Sequence, residues 1–449
     1  MTQILLIYPY FKPRYDRSSF RFPPLGLGYL ASSLKICGYQ PHLLDCTFLD
    51  RDEAWQRAKQ SKADIVGIYS MVSMQEDSLT FARLMRNRCD LLVAGGPLPS
   101  CSPATFLDDF DLVVVGEGEQ TIQEIVKAYD AGSEYSSIKG LQYRNQGDTI
   151  RTPTRELQTD LDGIPFPARD LFQNQKYIDH WNKRRGYSAT TVITTRGCPF
   201  SCEFCSNAVF GVSYRERSSD NVLSEVEQAL ALGYDRIHFA DDVFTLNKKR
   251  MMQICEEILA RGMEFKWECL ARVDSIDRAT ADAMKKAGCD RIFFGIESGD
   301  ESILMLMNKR ILLDQARRAV ETARAAGLKT GAFFILCYPG ETDETVLKTI
   351  RFATSLPLDY LSFTMPYPLP GTRLSERIKS KVINEWKGQS SFLSDHSLIF
   401  ESEFSGAKMR FAILKGQIQF AFQKRSKSPV SLAKKPFEKV TDILFKIMK

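Results

Sequence analysis

The segment Thr194–Asn207 reads T-T-R-G-C-P-F-S-C-E-F-C-S-N and holds three cysteines within eight residues: Cys198, Cys202 and Cys205. Two thiols separated by two residues can form a redox pair or half of a zinc site, but zinc requires a fourth ligand nearby. The segment offers none, since the nearest downstream histidine is His238. Three thiolates without a fourth partner suit an iron-sulfur cube that keeps one iron open. We therefore expect an open iron that binds a substrate or a cofactor.

The spacing C-x3-C-x2-C, with the aromatic Phe204 before the last cysteine, resembles the signature of the radical S-adenosylmethionine (SAM) enzymes. The resemblance implies that the three cysteines hold a four-iron four-sulfur (4Fe-4S) cluster. It also implies that the fourth iron chelates the amino and carboxylate groups of SAM. Gly197 and Pro199 indicate a shaped loop after a strand, which favours this interpretation over three cysteines that share a loop by chance.

Length and composition restrict the class of protein. A chain of 449 residues is long enough for two or three domains, each with its own core. Eleven cysteines without a leading signal peptide indicate a reducing, cytoplasmic compartment in which thiols stay available for metal. No apolar run approaches the roughly 20 residues of a membrane-spanning helix. The formal net charge of +5 is mild for this length and does not indicate a nucleic-acid partner.

Residues 1–131 alternate short apolar strands with helices. The predicted strands are Thr2–Tyr8, His42–Asp45, Ile65–Tyr69, Leu91–Ala94 and Leu112–Val115. Five such alternations in about 130 residues favour a doubly wound parallel sheet, which binds ligands at the carboxyl ends of its strands. Four glycines fall at those ends: Gly95, Gly96, Gly116 and Gly118. A generic nucleotide site is less favoured, because the dinucleotide fingerprint G-x-G-x-x-G is missing after the first strand.

Three features of this region resemble the cobalamin-binding domain that precedes the cluster domain in one class of radical SAM enzymes. They are the first loop ending in Pro23-Pro24-Leu-Gly26 and the turns Gly95-Gly96-Pro97 and Gly116-Glu117-Gly118-Glu119. The resemblance implies that the corrin and its nucleotide tail are held by Tyr69, Ser70, Ser73, Gln75, Gly95, Gly96, Pro97, Gly116, Glu117 and Gly118.

The motif D-x-H-x-x-G, which gives cobalt a histidine ligand in many cobalamin proteins, is absent from this region. His42 lies in a predicted strand without that context. We therefore expect cobalamin to bind without a protein histidine on the cobalt. The alternative is a sheet that kept the fold and lost the cofactor, in which case its glycines are ordinary turn residues.

Residues 132–188 are polar and rich in turns, which indicates a bridge. Residues 189–373 contain six predicted strands separated by helices: Thr190–Thr195, Arg236–Ala240, Phe265–Leu270, Arg291–Ile296, Thr330–Leu336 and Tyr360–Thr364. Helical crossovers imply parallel pairing, and loops at the carboxyl ends of the strands carry the chemistry in barrels of this type. The radical SAM enzymes have this arrangement, a six-stranded partial barrel that is open on one side.

Side chains at several strand ends are assigned to SAM by the resemblance: Phe204, Asp241, Asp242, Arg272, Glu297, Ser298, Tyr338 and Pro339. The two aspartates would face the methionine end and Arg272 the carboxylate. Glu297 and Ser298 would bond the ribose hydroxyls or the amino-acid part, and the turn at Pro339 would let adenine lie flat. Each polar residue has an alternative role as a helix cap or a structural ion pair.

Residues 374–449 form a helical C-terminal region, with helices predicted at Thr372–Val382 and Ala407–Phe422. The last stretch, Lys424–Lys449, is basic, and apolar residues recur in it at helical spacing: Phe437, Val440, Ile443, Leu444 and Ile447. We favour a terminal helix docked on the protein. The alternative is a weak membrane-surface contact suited to a lipid or tetrapyrrole substrate.

The stiff loop Pro366-Tyr-Pro-Leu-Pro-Gly371 closes the sixth strand where a substrate would enter. It resembles the subgroup of the anaerobic magnesium-protoporphyrin ester cyclase and the hopanoid- and bacteriochlorophyll-modifying enzymes. The resemblance implies reductive cleavage of SAM to a 5′-deoxyadenosyl radical, hydrogen abstraction from a small-molecule substrate, and methyl transfer from methylcobalamin to an unactivated carbon. Oxidative cyclisation or ring rearrangement without methyl transfer is the second interpretation. A cluster-bearing or zinc-bearing sensor without turnover is the third.

The resemblance also implies an external one-electron donor such as flavodoxin or ferredoxin. The identity of the substrate is not encoded in any motif, because side chains from several loops and the terminal region shape the pocket. The oligomeric state is likewise not encoded.

Overall fold

The computed structural model describes residues 2–11, 21–379, 400–424 and 434–448. Seven strands of the described N-terminal part form one sheet: β1 (Ile4–Tyr8), β2 (His42–Asp45), β3 (Ile65–Tyr69), β4 (Leu91–Gly95), β5 (Leu112–Val114), β6 (Leu141–Asn145) and β7 (Asp148–Arg151). Their order is β2-β1-β3-β4-β5-β6-β7. The first five strands pair in parallel, whereas β6 and β7 continue the sheet as an antiparallel hairpin.

Helices cover both faces of this sheet: α1 (Leu25–Lys35), α2 (Arg51–Gln60), α3 (Gln75–Met85), α4 (Pro97–Cys101) and α5 (Glu119–Asp130). Successive residues of a strand point to opposite faces, so Leu6 enters a core with α1 and α5 while Ile7 enters a second core with α2 and α3. The predicted doubly wound parallel sheet is confirmed.

The bridge is bonded to both halves of the molecule. Its helix α6 (Asn174–Arg185) buries Tyr177, whose hydroxyl donates to Asp45 Oδ2 at 2.7 Å in the first sheet. Arg169, just before this helix, donates to the buried Glu225 Oε1 at 2.5 Å in the second half. These buried contacts tie the part of the bridge from Arg169 to Arg185 to both halves of the molecule.

The second half contains six parallel strands: β8 (Ala189–Val192), β11 (Arg236–Phe239), β12 (Lys266–Ala271), β13 (Cys289–Glu297), β14 (Lys329–Ile335) and β15 (Tyr360–Thr364). Their order is β15-β14-β13-β12-β11-β8, so the sheet follows the chain order and leaves β8 and β15 at its edges. This confirms the predicted open partial barrel. A separate antiparallel pair, β9 (Thr195–Arg196) and β10 (Arg215–Glu216), was not predicted from the sequence.

The crossover helices of the barrel are α7 (Ser219–Ala231), α8 (Lys248–Ala260), α9 (Arg278–Lys286), α10 (Glu301–Leu306), α11 (Leu313–Ala325) and α12 (Asp343–Ser355). They bury one apolar core against the outer face of the strands. Because every crossover places a helix outside, the carboxyl ends of all six strands meet at one rim.

The described C-terminal region contains α13 (Arg373–Arg377), α14 (Gly406–Lys424) and α15 (Lys434–Ile447). Helix α13 is shorter than the predicted Thr372–Val382, of which residues 380–382 lie outside the described residues. Helix α15 docks on the protein: its Phe445 is fully buried and its Asp442 pairs with Lys415 of α14 at 2.7 Å. In the part of the chain that the structure describes, no helix has the length and apolar character needed to cross a bilayer.

Candidate functional site

The cysteine loop begins after β9 at a position that only glycine can occupy. Gly197 has φ +83°, and a Cβ there would lie 2.2 Å from the carbonyl oxygen of Ser213. The loop returns through β10, which pairs antiparallel with β9. The hairpin therefore holds the loop at the rim of the barrel, after strand β8.

The three predicted ligand cysteines lie near one another on this loop. Burial, together with the smaller effects of the nearby charges of Asp242, Cys202 and Cys198, raises the pKa of the Cys205 thiol to about 12. Burial is also the main cause that raises the pKa of Cys198. The thiols are thus within electrostatic reach of one another and of Asp242.

The predicted donor set consists of three thiols on one loop. Across the described ranges, no group of three or more His, Cys, Asp or Glu side chains is arranged to hold one metal ion. Cysteine sulfur is the usual ligand of iron-sulfur clusters, so three thiols on one loop are the right type of donor for the predicted cluster. The residues present therefore fit the predicted cluster.

Glu203, between the second and third cysteines, anchors the loop. Its carboxylate is buried and accepts from Tyr338 Oη at 2.5 Å and from Arg377 Nε at 2.6 Å. Its backbone N–H donates to Met307 O at 2.9 Å, and its carbonyl accepts from Leu374 N at 2.9 Å. Three separate segments therefore fix this one residue, and sequence reasoning missed it because all its partners are more than 100 positions away.

The two aspartates after β11 have different surroundings. Asp241 is buried, and its Oδ1 accepts from the backbone N–H groups of Thr194 at 2.6 Å and Thr195 at 3.0 Å, which fixes the entry to the cysteine loop. Burial raises its pKa, although these hydrogen bonds oppose the rise. Asp242 has an exposed side chain, and its pKa is raised by desolvation from the surrounding protein and by the charge of Asp241.

Arg272 is buried over the ring of Phe200 in the cysteine loop, 3.6 Å from the ring centre. Its guanidinium donates to both oxygens of Asp274, at 3.0 and 2.9 Å. Its positive charge lowers the pKa of Cys198, which places it within reach of the thiols. The pairing with Asp274 was not predicted.

Glu297 and Ser298, the two residues predicted to bind SAM at the end of β13, both contact other protein side chains. Glu297 has φ +74° and accepts from Lys309 Nζ at 3.2 Å. Ser298 is fully buried, and its hydroxyl lies 3.0 Å from the hydroxyl of Thr349. Lys309 also lowers the pKa of Cys205, so it belongs to the surroundings of the cysteine loop although the sequence analysis did not select it.

The residues predicted after β14 lie beside the loop. The rings of Phe204 and Tyr338 meet edge to face, with their centres 6.5 Å apart. Tyr338 is fully buried, and the carbonyl of Pro339 accepts from Arg377 Nη2 at 3.3 Å. This corner of the rim is therefore a packed wall beside the cysteines.

A cavity of about 530 Å³ lies at the carboxyl edge of the first sheet. Of the residues predicted to hold cobalamin, the structure places these in its lining: Tyr69, Ser73, Gly95, Gly96, Pro97, Gly116, Glu117 and Gly118. Ser70 and Gln75 are not in the lining. Ser70 is fully buried and accepts a hydrogen bond from the Ser78 hydroxyl at 2.9 Å, and Gln75 begins α3.

The lining suits a broad, largely apolar ring system. A Cβ added at Gly26 or Gly95 would meet no other atom within 4 Å, so both glycines leave open space at the wall. Gly96 has φ +114° and no room for a Cβ, which would lie 2.6 Å from Ser70 O. Aromatic residues missed by the sequence analysis complete the wall: Tyr8, Tyr10, Phe22 and Tyr29. None of the described lining residues is histidine.

The barrel closes one side of this cavity through residues that flank the cysteine loop: Ile193, Arg196, Val209 and Phe210. Arg196 donates to Glu117 Oε1 at 3.1 Å, and Arg215 donates to the same oxygen at 2.9 Å. Arg196 also lies over the ring of Tyr29, 5.3 Å from its centre. The cavity and the cysteine loop therefore share a wall.

Comparison with known proteins gives the family. Residues 192–353 match the radical SAM superfamily and residues 15–126 match the B12 binding domain. The chain is 39% identical over 368 residues to an uncharacterized methyltransferase, PH0819, of Pyrococcus horikoshii, covering 79% of this chain and 78% of that protein. It is 28% identical over 397 residues to the anaerobic magnesium-protoporphyrin IX monomethyl ester cyclase of Cereibacter sphaeroides, covering 85% of this chain and 64% of the cyclase.

Two solved structures share the fold. The cobalamin-dependent SAM radical enzyme OxsB aligns with a TM-score of 0.78 and 18% identity over 99% of this chain and 72% of its own. The radical SAM methyltransferase TsrM of Kitasatospora setae, solved with cobalamin and a 4Fe-4S cluster, aligns with a TM-score of 0.71 and 19% identity over 85% of this chain and 75% of its own. The chain belongs to the radical SAM superfamily and carries a B12-binding domain, which makes it a cobalamin-dependent radical SAM enzyme.

Proposed function

We propose that the enzyme methylates an unactivated carbon of a small molecule. The observation that supports this most directly is the wall shared by the cavity and the cysteine loop, because the sites that we propose for the corrin and for SAM would then meet at one interface. When bound, the cluster and cobalamin would supply the radical chemistry and the methyl group. The protein would position the two cofactors relative to each other. Arg196 and Glu117 form an ion pair across the interface and would fix the orientation of the two sites.

At the cluster we propose Cys198, Cys202 and Cys205 as the three ligands. The charge of the exposed Asp242 raises the pKa of both Cys198 and Cys205, and we assign this carboxylate to the ammonium group of SAM. Arg272, held over Phe200, would face the carboxylate of SAM.

For the nucleoside part of SAM we propose the wall formed by Phe204, Glu297, Ser298, Tyr338 and Pro339. The hydroxyls of Ser298 and Tyr338 already bond protein groups, so these two residues would act through shape and backbone. Asp241 supports the loop entry and would orient the site without touching SAM.

In the cavity we propose that the glycine turns at Gly95–Gly96 and Gly116–Gly118, with Tyr69, Ser73 and Pro97, hold the corrin. Ser70 and Gln75 would support this wall from behind. We propose that cobalt has no protein histidine ligand.

The substrate we propose is a lipid or a tetrapyrrole, with an external flavodoxin or ferredoxin as electron donor in the cytoplasm. The name of the cyclase relative supports the tetrapyrrole class. The domain limits we propose remain 1–131, 132–188, 189–373 and 374–449, with β6 and β7 joining the first sheet across the first limit.

The test is an anaerobic assay with reconstituted iron-sulfur protein, hydroxocobalamin, SAM and a reductant. Candidate lipids and tetrapyrroles should gain about 14 mass units, one methyl group in place of hydrogen, with formation of S-adenosylhomocysteine. Cys205→Ala should form no 5′-deoxyadenosine, because the loop would lose a cluster ligand. Its retention of SAM cleavage would refute the cluster assignment.

A second candidate is oxidative cyclisation or ring rearrangement, favoured by the similarity to the magnesium-protoporphyrin ester cyclase. The same assay separates the two functions, because a cyclase product gains no methyl group and no S-adenosylhomocysteine accumulates. A sensor without turnover, the third interpretation of the sequence, would form no 5′-deoxyadenosine under any of these conditions.

A further inference from the structure

The terminal helix α15 docks on the protein through one of its faces. Phe445 is fully buried and stacks on Phe404, with ring centres 6.3 Å apart. Asp442 pairs with the buried Lys415 at 2.7 Å, and Lys446 pairs with Glu344 at 2.9 Å. These contacts hold the helix in a fixed orientation on α12 and α14.

A second apolar face of the same helix is left in solvent. Val440 is 56% exposed, Ile443 56%, Leu444 41% and Ile447 68%. Their spacing of three, one and three residues places all four on one side of a helix. Single exposed apolar residues are ordinary, but four contiguous ones on a docked helix indicate an interaction surface. We call these four residues the apolar stripe.

Basic residues border the apolar stripe. Lys435 and Lys439 have exposed side chains, and helical spacing puts both along one side of the stripe. The partner of the apolar stripe is thus expected to be apolar at its centre and anionic at its edge.

We propose that the apolar stripe and its flanking lysines dock the enzyme on an anionic lipid surface. Apolar side chains entering the acyl boundary beside lysines at headgroup level are the arrangement of interfacial amphipathic helices. Each lysine near the surface adds electrostatic attraction that salt screens. The proposal goes beyond the proposed function, because it would hold whatever reaction the site performs.

A second copy of the chain is a less suitable occupant. Four side chains bury far less than the roughly 800 Å² per partner of a stable protein interface. If two copies paired symmetrically through the apolar stripe, their flanking lysines would also approach each other. The stripe has no acidic side chains that could neutralise these lysines. A lipid surface needs neither a large area nor acidic side chains.

The test is flotation of the full chain with vesicles of phosphatidylcholine and phosphatidylglycerol at about three to one, compared with pure phosphatidylcholine. The wild type should float with the anionic vesicles and far less with the neutral ones, and added salt should release it. Ile443→Ser combined with Ile447→Ser should lower the partition coefficient at least about tenfold.

The matched control is Ile36→Ser combined with Leu259→Ser, which removes apolar residues that are 67% and 54% exposed elsewhere. It should bind vesicles as the wild type does. Equal melting temperatures would show that all variants fold. Failure of the wild type to float, or equal loss in the control, would overturn the proposal. The proposal would also be overturned if ultracentrifugation showed that the wild type self-associates and that the apolar-stripe variant does not, while both bind vesicles equally. None of these readouts depends on catalysis.

Discussion

At the scale of single residues, Glu203 shows how a non-ligand side chain can determine the shape of a cluster loop. We expect Glu203→Gln to weaken the bonds from Tyr338 and Arg377, because both donors now meet a neutral acceptor. A hydrogen bond to a charged group contributes about 1.5–3 kcal/mol, and the variant should lose stability of that order. Urea denaturation measures the loss, and iron content after reconstitution should fall with it.

The control for Glu203 is Glu376→Gln, which removes an exposed carboxylate that pairs with Lys379 at 3.9 Å. An exposed pair contributes less than about 1 kcal/mol, so this variant should resemble the wild type in both measurements. Equal behaviour of the two variants would show that Glu203 is not an anchor.

Glu341 gives a pH prediction. Burial raises its pKa from 4.5 to about 8, and its Oε1 has no hydrogen-bond partner in the described residues. Between these two pH values the folded state holds a proton that the unfolded state releases. The free energy of unfolding should therefore fall by at most about 1.4 kcal/mol per unit as pH rises through this window.

Glu341→Gln should remove that slope, because the amide stays neutral while the N–H of Tyr338 keeps an oxygen to bond. The measurement is the unfolding free energy of both proteins in urea from pH 5 to pH 9. Parallel curves for the two proteins would show that Glu341 does not titrate in this window.

At the scale of elements, the turn between β9 and the cysteine loop depends on Gly197. Gly197→Ala should abolish cluster incorporation, because the Cβ would overlap Ser213 O at 2.2 Å and φ is +83°. Gly132→Ala is the matched control: φ is +61°, but no atom lies within 4 Å of the added Cβ. It should bear only the conformational strain of about 1 kcal/mol. Iron and sulfide content after reconstitution distinguish the two.

Strands and helices were predictable where local patterns are strong. Short strand-like runs between helical stretches predicted the strands β1 to β5 and the six barrel strands, because a regular alternation of strand and helix favours a parallel sheet. The pair β9 and β10 was missed, since two-residue strands have no periodicity to detect. Helix α13 was overextended for a related reason: Thr372 caps it, but the helix ends at Arg377 where no glycine or proline marks a stop.

The site was predictable in its local parts only. The cysteine spacing and the glycine turns are contiguous in sequence, so the loop and much of the cavity lining were found. Two ion pairs could not be found in this way. Glu203 and Arg377 are 174 positions apart in the sequence. Arg272 and Asp274 are close in sequence, but nothing distinguishes them from an ordinary ion pair in a loop. Contacts of these kinds follow from tertiary packing, which no spacing rule encodes.

At the scale of the whole molecule, the two halves are joined by a buried cluster of charges. Glu117 accepts from both Arg196 and Arg215, and all three are buried. We expect Glu117→Gln to lower stability by about 3–5 kcal/mol, since it leaves the buried Arg215 without its carboxylate partner, while Arg196 keeps Glu119 at 2.5 Å. Calorimetry measures this, and a titration with hydroxocobalamin should show weaker binding.

Glu156→Gln is the control for this interface, because Glu156 is exposed and pairs with Lys139 at 2.7 Å at the surface. Its stability and cobalamin affinity should match the wild type. If both variants lost the same affinity for cobalamin, the buried charge cluster would not be what maintains the cavity.

The wall shared by the cavity and the cysteine loop also limits how the gene can be divided. A fragment that ends before Ile193 would lose the residues that close one side of the cavity, and a fragment that begins there would lose the acidic partners of Arg196 and Arg215. Neither half is therefore a transplantable module. Swapping the cobalamin part between relatives should succeed only when these two arginines and Glu117 are exchanged together.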